Sequence, residues 1–297
     1  METPLLTIIT PTYNRAHTLP ACYESLCGQT NKGFMWMVID DGSSDHSEEL
    51  VSSWIEERKI LISYRKKENG GKASALNMAM DLLDTQYAVC LDSDDTFYPQ
   101  TVEFALKNLD EIKDDEKCCG ILALRNNPDG SVMGGKSIPE NVKQATAADI
   151  FMKYRLTGEL ICFYKTKILK KFRFPEFEGE KFVSPAWMQY QVTQDYSFAI
   201  SRDRLCCCEY IADGLTKNKR KIIVKNPKGY TCVKRWSFDL APTVPLRIKH
   251  GIMYDCGCIL GKDINWFKNA RHKAWAVALM PAAYFVTLIR FRNHTPQ

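Results

Sequence analysis

The sequence predicts an α/β fold, a mostly parallel Rossmann-like sheet flanked by helices. Three observations carry that expectation. Short apolar runs alternate with segments of helical spacing through residues 5–112, and a βαβαβαβ order requires right-handed crossovers that put helices on both faces of a parallel sheet. The apolar runs end abruptly in polar or glycine-rich groups, as strands do where a sheet gives way to loops. A chain of 297 residues, 45% hydrophobic and 25% charged, has the balance of a soluble globular protein and enough length for one large or two modest domains.

Residues 5–10 (LLTIIT) form the first strand candidate, and residues 19–26 carry helical spacing. Residues 34–39 (FMWMVI) are a second strand. The helix after it is expected to begin at Ser44, with Leu50, Val51, Trp54 and Ile55 along one face. A short third strand follows at residues 60–64. A helix over residues 73–83 comes next, its apolar stripe formed by Ala75, Leu76, Ala79, Leu82 and Leu83. Residues 87–91 are the fourth strand and residues 102–112 the helix behind it. Strict alternation then lapses: strands are expected at 120–125 and 159–164, a short helix at 147–154, a loop at 174–180 and a helix over 185–194. The second part therefore reads as an acceptor-facing half built onto the same sheet.

Composition narrows the compartment. The apolar stretch at residues 5–10 is too short for a secretory leader and no basic residue precedes it. With 12 cysteines, reduced thiols in a cytoplasm are expected rather than a disulfide framework. The clusters Cys118-Cys119, Cys206-Cys207-Cys208 and Cys256-x-Cys258 lack the paired C-x₂-C spacing of zinc sites. A net charge of +5 is modest but uneven, because Lys217, Lys219, Arg220, Lys221, Lys225, Lys228, Lys234 and Arg235 follow one another with no acid between them. Such a block attracts phosphates, acidic lipids or nucleic acid; a solvated face is the alternative.

The tail has its own pattern. Residues 274–289 are uncharged, interrupted by Pro281 and flanked by Arg271, His272, Lys273, Arg290 and Arg292. A membrane span needs about 20 apolar residues, so this run is expected to fall short, split at its proline and lie in the membrane interface. A core or oligomer-contact helix is the alternative.

Polar groups recur at the strand ends. The first strand runs into Thr10-Pro11-Thr12-Tyr13-Asn14-Arg15, the second into Asp40-Asp41-Gly42-Ser43-Ser44-Asp45, the third into Glu68-Asn69-Gly70-Gly71-Lys72 and the fourth into Asp92-Ser93-Asp94-Asp95. Each alone could be a cap or a turn. Together they place four sets of polar groups at the carboxyl edge of one sheet, where open α/β sheets bind ligands. Carboxylates spaced Asp-x-Asp after a buried strand read as a metal–phosphate site, since hard divalent cations are held by one or two carboxylates plus substrate phosphates.

These motifs resemble those of family 2 glycosyltransferases of the nucleotide-sugar-binding GT-A type, strongly over residues 5–100 and more weakly to about residue 230. The resemblance implies a GT-A domain over residues 1–235, with a donor half at 1–100 and an acceptor half at 101–235. Residues 236–297 would form a helical, basic and apolar membrane-associating tail. It implies that Pro11 and Tyr13 cradle the base and ribose, that Asp41 with Asp40 beside it hydrogen-bonds the base, and that Lys72 lies near the nucleotide. Asp92 would reach the ribose, and Asp94 would coordinate a divalent metal, Mn²⁺ or Mg²⁺. The implied activity is inverting transfer from a nucleoside diphosphate sugar, a UDP-sugar at family level, to a saccharide or lipid-linked acceptor in surface polysaccharide assembly. The enzyme would sit on the cytoplasmic membrane face with no nucleic acid partner. The basic block from Lys217 to Lys228 resembles a mobile segment that closes over the diphosphate.

An acceptor hydroxyl needs a carboxylate to take its proton. The family's Gly-Glu start points to Glu180 in the segment from Glu176 to Val183, although Lys181 stands where a second acid is usual. Glu178 and then Asp195 are the alternatives. Two other functions fit parts of the pattern. Asp92-x-Asp94-x-Thr96 also satisfies a haloacid-dehalogenase-type phosphatase motif, though three βα units precede it. A non-catalytic nucleotide-sugar-binding module would keep the pocket without the base.

Overall fold

A computed structural model describes residues 4–156, 158–208 and 219–292. These divide into two compact units, residues 1–173 with 191–209 and residues 174–190 with 210–297. The expected boundary at residue 235 does not mark that division, for it falls inside a continuous helix, Pro227–Asp239.

The first unit is built on an eight-stranded sheet. Its strands are β1 (Leu6–Thr12), β2 (Phe34–Asp40), β3 (Leu61–Lys66), β4 (Tyr87–Cys90), β6 (Cys118–Leu124), β7 (Gln144–Ala145), β8 (Leu160–Lys165) and β9 (Ser197–Ile200), in the order β3-β2-β1-β4-β8-β6-β9-β7. The first four pair in parallel. Strand β8 then runs antiparallel between β4 and β6, so the sheet is mixed beyond β4. Two short strands, β5 (Asp95–Phe97) and β10 (Cys206–Cys208), pair antiparallel as a separate ribbon. Helices α1 (Leu19–Cys27), α2 (Ser47–Glu57), α3 (Lys72–Leu82), α4 (Thr101–Glu111) and α5 (Thr166–Leu169) complete the unit.

The core explains the apolar runs. Trp36 in β2 is fully buried, stacks 5.9 Å from Tyr23 of α1 and donates its indole N–H to Thr10 Oγ1 at 2.9 Å. Trp54 of α2 closes the group, 4.2 Å from Tyr23. Helix α2 begins at Ser47, not at Ser44. The Ser44 amide is committed to Asn14 Oδ1 at 2.8 Å, and Asp45 accepts the Ser47 N–H and hydroxyl. The short helix expected at 147–154 is a single wide turn over Asp149–Lys153, closed by the Tyr154 N–H on the Asp149 carbonyl.

Pro11 sits within a central strand without breaking it. It shares the parity of Ile9, whose carbonyl accepts from Leu91, so its missing N–H faces the side where β4 has already ended. The chain order reverses at this point: β2 and β3 lie on one side of β1 and β4 on the other. The crevice outside β1 and β4 is therefore the topological switch point, the place where such sheets bind ligands.

Helix α6 (Ala186–Val192) carries the chain from one unit to the other. The second unit is helical: α7 (Lys219–Lys225), α8 (Pro227–Asp239), α9 (Val244–Leu260), α10 (Trp266–Asn269) and α11 (Lys273–Phe291). Phe238, Tyr254, Cys258, Ala270 and Ala276 form one core cluster, and Ile223, Cys256, Ala283 and Phe291 another. The tail is thus part of a packed core.

Helix α11 also departs from expectation at Pro281, which lies inside one unbroken 19-residue helix. Proline removes one backbone donor and need not end a helix where packing holds both sides. By length and composition this helix is apolar enough to cross a membrane, with 22% of its apolar window buried. One face, with Ala276, Ala283, Thr287 and Phe291, packs inward; Val277, Tyr284, Phe285, Leu288 and Ile289 are exposed.

Candidate functional site

Four loops at the carboxyl edge of the first unit are stitched together by hydrogen bonds. After β1, Asn14 adopts φ 52°. Its N–H reaches Ser43 Oγ at 2.9 Å while its Oδ1 accepts from Ser44, and Asp45 accepts the Ala16 N–H at 3.0 Å. The loop after β1 is thereby tied to the loop after β2. Asp40 is fully buried, accepting the Ser43 N–H at 2.7 Å and the Tyr64 hydroxyl at 2.6 Å. Its role in the structure is to hold this turn.

Asp41 ties the second loop to the third. Its Oδ1 accepts from the Gly70 N–H at 2.9 Å and Lys67 Nζ at 3.0 Å, and its Oδ2 from the Gly71 N–H at 2.6 Å. Two glycines make this possible. Gly42 at φ +82° leaves room where a Cβ would meet the Asn69 N and Lys67 O at 3.1 Å, and Gly71 at φ +90° turns the chain into α3.

Lys72 opens α3 and ion-pairs with Asp92, linking the third loop to the fourth. Tyr13 is 49% exposed and Pro11 half-buried beside it. The expected donor residues Pro11, Tyr13, Asp40, Asp41, Lys72, Asp92 and Asp94 thus all lie on one edge of one unit. Asp40 and Asp41 are engaged in holding loops, while Tyr13 and Asp94 remain partly open.

The acid turn is the electrostatic centre. The Asp95 N–H closes it on the Asp92 carbonyl at 3.0 Å. Burial opposes ionisation of Asp92, but Lys72 and then Arg125 outweigh it and hold its carboxyl well below the usual carboxylate range. Burial, and then the Asp92 charge, push Asp94 up. Burial pushes Asp95 up to about 7 against the pull of Arg125. Lys72 pairs with Asp92, and Arg125 with Asp92 and Asp95. Neither cation pairs with Asp94. A half-buried carboxylate beside a second one, with no ion pair to either cation, fits a hard divalent cation, and Asp94 is the residue that would hold it.

Arg125 is the residue that sequence reasoning passes over. It follows the fully buried β6, and its guanidinium is itself almost wholly buried. The one signal in the sequence is a cation directly after an apolar strand that has no acid nearby to explain it.

Glu180 lies in the second unit. Its Oε1 accepts from the Lys228 N–H at 2.9 Å and its Oε2 from the Gly229 N–H at 2.8 Å, capping the start of α8. Glu178 and Asp195 are exposed. Of the basic block, Lys217 lies outside the described residues. The segment from Lys219 to Lys225 is helix α7, and Lys228, Lys234 and Arg235 lie on α8. Lys234 is pushed down to about 8 by burial and by Lys219, Lys249 and Arg290.

The sequence description of Glycosyl transferase family 2 matches residues 7–166, more than half of the chain, including every strand-end motif above. The chain belongs to glycosyltransferase family 2. The chondroitin synthase of Pasteurella multocida (strain Pm70) is 34% identical over 156 residues, 52% of this chain but 16% of that protein. An uncharacterized glycosyltransferase of Methanocaldococcus jannaschii, MJ1057, is 26% identical over 208 residues, 69% of this chain and 70% of its own length. This family 2 glycosyltransferase therefore spans about a sixth of the length of the synthase it matches.

Solved structures show the fold. Residues 1–349 of S. aureus TarS in complex with UDP-GlcNAc match with a TM-score of 0.59 at 16% identity, over 98% of this chain and 92% of that one. The mannosyltransferase PcManGT from Pyrobaculum calidifontis, in complex with GDP-Man and Mn²⁺, matches with a TM-score of 0.54 at 17% identity, over 97% and 88%. The fold is GT-A, and the protein is a glycosyltransferase. The phosphatase alternative falls away with that membership.

Proposed function

We propose that the enzyme moves a hexosyl group from a nucleoside diphosphate sugar, a uridine diphosphate donor, to a saccharide or lipid-linked acceptor, inverting the anomeric carbon, in surface polysaccharide assembly. One observation carries this proposal: the turn from Asp92 to Asp95 at the switch point, whose two ends are ion-paired to Lys72 and Arg125 while Asp94 pairs with neither cation. The bound UDP-GlcNAc of TarS and GDP-Man with Mn²⁺ of PcManGT support it at the level of chemistry.

A divalent cation, Mn²⁺ or Mg²⁺, when bound, supplies Lewis-acid neutralisation of the departing diphosphate. The chain's own residues do the rest. Tyr13 and Pro11 border the crevice for the base and ribose. Asp41 keeps the second and third loops at one spacing and lies beside the base. Asp92, held by Lys72, faces the ribose side of the acid turn. Lys72 keeps a fixed positive charge near the nucleotide.

Glu180 is the proposed general base. A carboxylate has about four lone-pair sites; the α8 amides use two, which fixes the group and leaves others to accept a hydroxyl proton. Glu178, exposed and two residues earlier, is the alternative. A direct displacement with one base opposite the leaving group inverts the sugar carbon.

The exposed face of α11 and its cations Lys273, Arg290 and Arg292 support peripheral binding to an anionic cytoplasmic leaflet. Purified protein supplied with UDP-sugars and Mn²⁺ should release UDP, faster when oligosaccharide acceptors are added and not at all in excess chelator. Chelator-resistant transfer would contradict the metal-dependent reaction.

A further inference from the structure

Three carboxylates in four residues cannot hold a tight turn without compensating charge. Lys72 reaches Asp92 from one side. From the other side comes Arg125, whose guanidinium is fixed to the sheet by its Nε donating to the Leu160 carbonyl at 3.2 Å. Leu160 opens β8, directly opposite Leu124 at the end of β6, so this anchor is backbone of the sheet and not a mobile loop.

Arg125 Nη1 contacts four groups. It pairs with Asp95, approaches Asp92 Oδ2 at 3.5 Å and Glu159 Oε2 at 3.7 Å, and donates to Cys208 Sγ at 3.5 Å. Asp95 opens β5 and is paired in register with Cys208 of β10. One guanidinium therefore ties the small ribbon to the main sheet and holds the acid turn at both ends. Asp95, Cys206 and Cys208 would by themselves offer three ligands to a soft cation. Arg125 already donates to two of them and serves as the resident positive charge.

We propose that Arg125 is a positioning residue for the donor-site cation: by clamping Asp92 and Asp95 to the end of β6, it presents Asp94 to the metal with one fixed geometry. The proposal rests on the donor-site function above. It predicts a selective defect. Removing the clamp should weaken the coupling between metal and nucleotide and leave most of the metal-independent part of nucleotide binding intact.

The test is calorimetric titration of UDP into the full chain, in excess MnCl₂ and in excess chelator, for the wild type, Arg125→Lys and the double variant Arg125→Met/Asp95→Asn. The double variant removes both charges of the tightest pair, so no buried carboxylate is stranded. Outer-shell partners of metal ligands are worth roughly 10–100-fold in metal affinity, and the Mn²⁺-dependent gain in UDP affinity should fall by that factor in the double variant. Arg125→Lys, which keeps the charge but loses the forked reach to Asp92, Asp95 and Leu160, should fall in between. Affinity in chelator should fall far less in both, since Lys72 still holds Asp92.

Either variant, if folded and retaining the full Mn²⁺ gain, overturns the proposal. Equal losses with and without Mn²⁺, together with a lowered melting temperature, reduce Arg125 to a structural role and overturn it as well. A wild type with no Mn²⁺ gain contradicts the donor-site function itself, and this inference with it.

Discussion

In the proposed reaction Asp94 would hold the metal and Glu180 would take the proton, and their surroundings separate their tests. Asp94 takes neither of the two cations that pair with its neighbours. Asp94→Asn should abolish transfer and remove the metal's enhancement of nucleotide binding, whereas Asp92→Asn should weaken nucleotide binding and leave residual activity. Both are read by UDP titration with and without Mn²⁺ alongside turnover. Glu180→Gln keeps the shape and one good acceptor for the α8 amides but cannot take a proton, so transfer should fall by ~10²–10⁴-fold. Loss of half of a charged cap should cost only about 1 kcal/mol of stability, and donor binding should hold. Unchanged turnover in a variant with a lowered melting temperature would make Glu180 a cap alone; the same kinetic loss confined to Glu178→Gln would move the base two residues earlier. The gathering of polar groups at one sheet edge was legible in the sequence because polar groups after apolar runs are a one-dimensional pattern. Arg125 was not, since its partners Asp92 and Asp95, Glu159 and Cys208 are gathered from three separate segments.

Among the elements, the four parallel strands and the helices between them were legible to within a few residues because periodicity and burial agree there. Strand β2 is buried along almost its whole length, and helix α4 shows its apolar stripe plainly, with Val102, Ala105 and Leu109 inside. The short ribbon of β5 and β10 was invisible, since three-residue strands joined across more than a hundred residues of chain carry no local signal. Helix α11 was misjudged at Pro281, where burial of Ala276 and Ala283 on either side keeps the helix intact. That packing also changes how membrane binding must be tested. Deleting the tail would strip Ala276, Ala283 and Phe291 from the core of the second unit. Replacing the exposed Phe285, Leu288 and Ile289 with serine leaves the core alone and removes only the open face. Co-sedimentation with anionic liposomes at low salt should be lost in that variant and kept in the wild type. Equal sedimentation of the two would rule out α11 as the membrane contact.

Across the whole molecule, the helical unit carries a buried charge problem that the sheet unit has solved. Asp255 in α9 is fully buried with no hydrogen-bond partner on either oxygen among the described residues, and burial pushes its carboxyl up to about 7. Its folded-state value lies above the unfolded one, so the folded form keeps a proton that the unfolded form releases. The associated stability is fully present below about pH 4 and is lost as pH rises toward 7. At 1.36 kcal/mol per unit, the fall across a gap from 3.8 to about 7 is about 4 kcal/mol. Asp255→Asn should flatten that part of the melting-temperature profile between pH 4 and pH 8, and identical profiles for variant and wild type would show that Asp255 ionises without penalty. His250, pushed down to about 4 by burial and by Lys234 and Lys249, acts with the opposite sign: the unfolded imidazole binds a proton that the folded one does not, so its share of stability rises with pH between about 4 and 6.5, and the difference between variant and wild type isolates Asp255.

The donor site at the switch point is tested most directly by the thermal stability of the wild type and of Asp94→Asn with UDP and Mn²⁺. A ligand at about 100 times its Kd stabilises by ~2.7 kcal/mol, roughly 5–10 °C for a unit of this size. The wild type should show the full shift when UDP and Mn²⁺ are both present and a smaller one with UDP alone, and Asp94→Asn should show only the smaller shift whether or not Mn²⁺ is added. An equal shift in the two proteins, or none in the wild type with any nucleoside diphosphate, would contradict a donor site whose metal is held by Asp94.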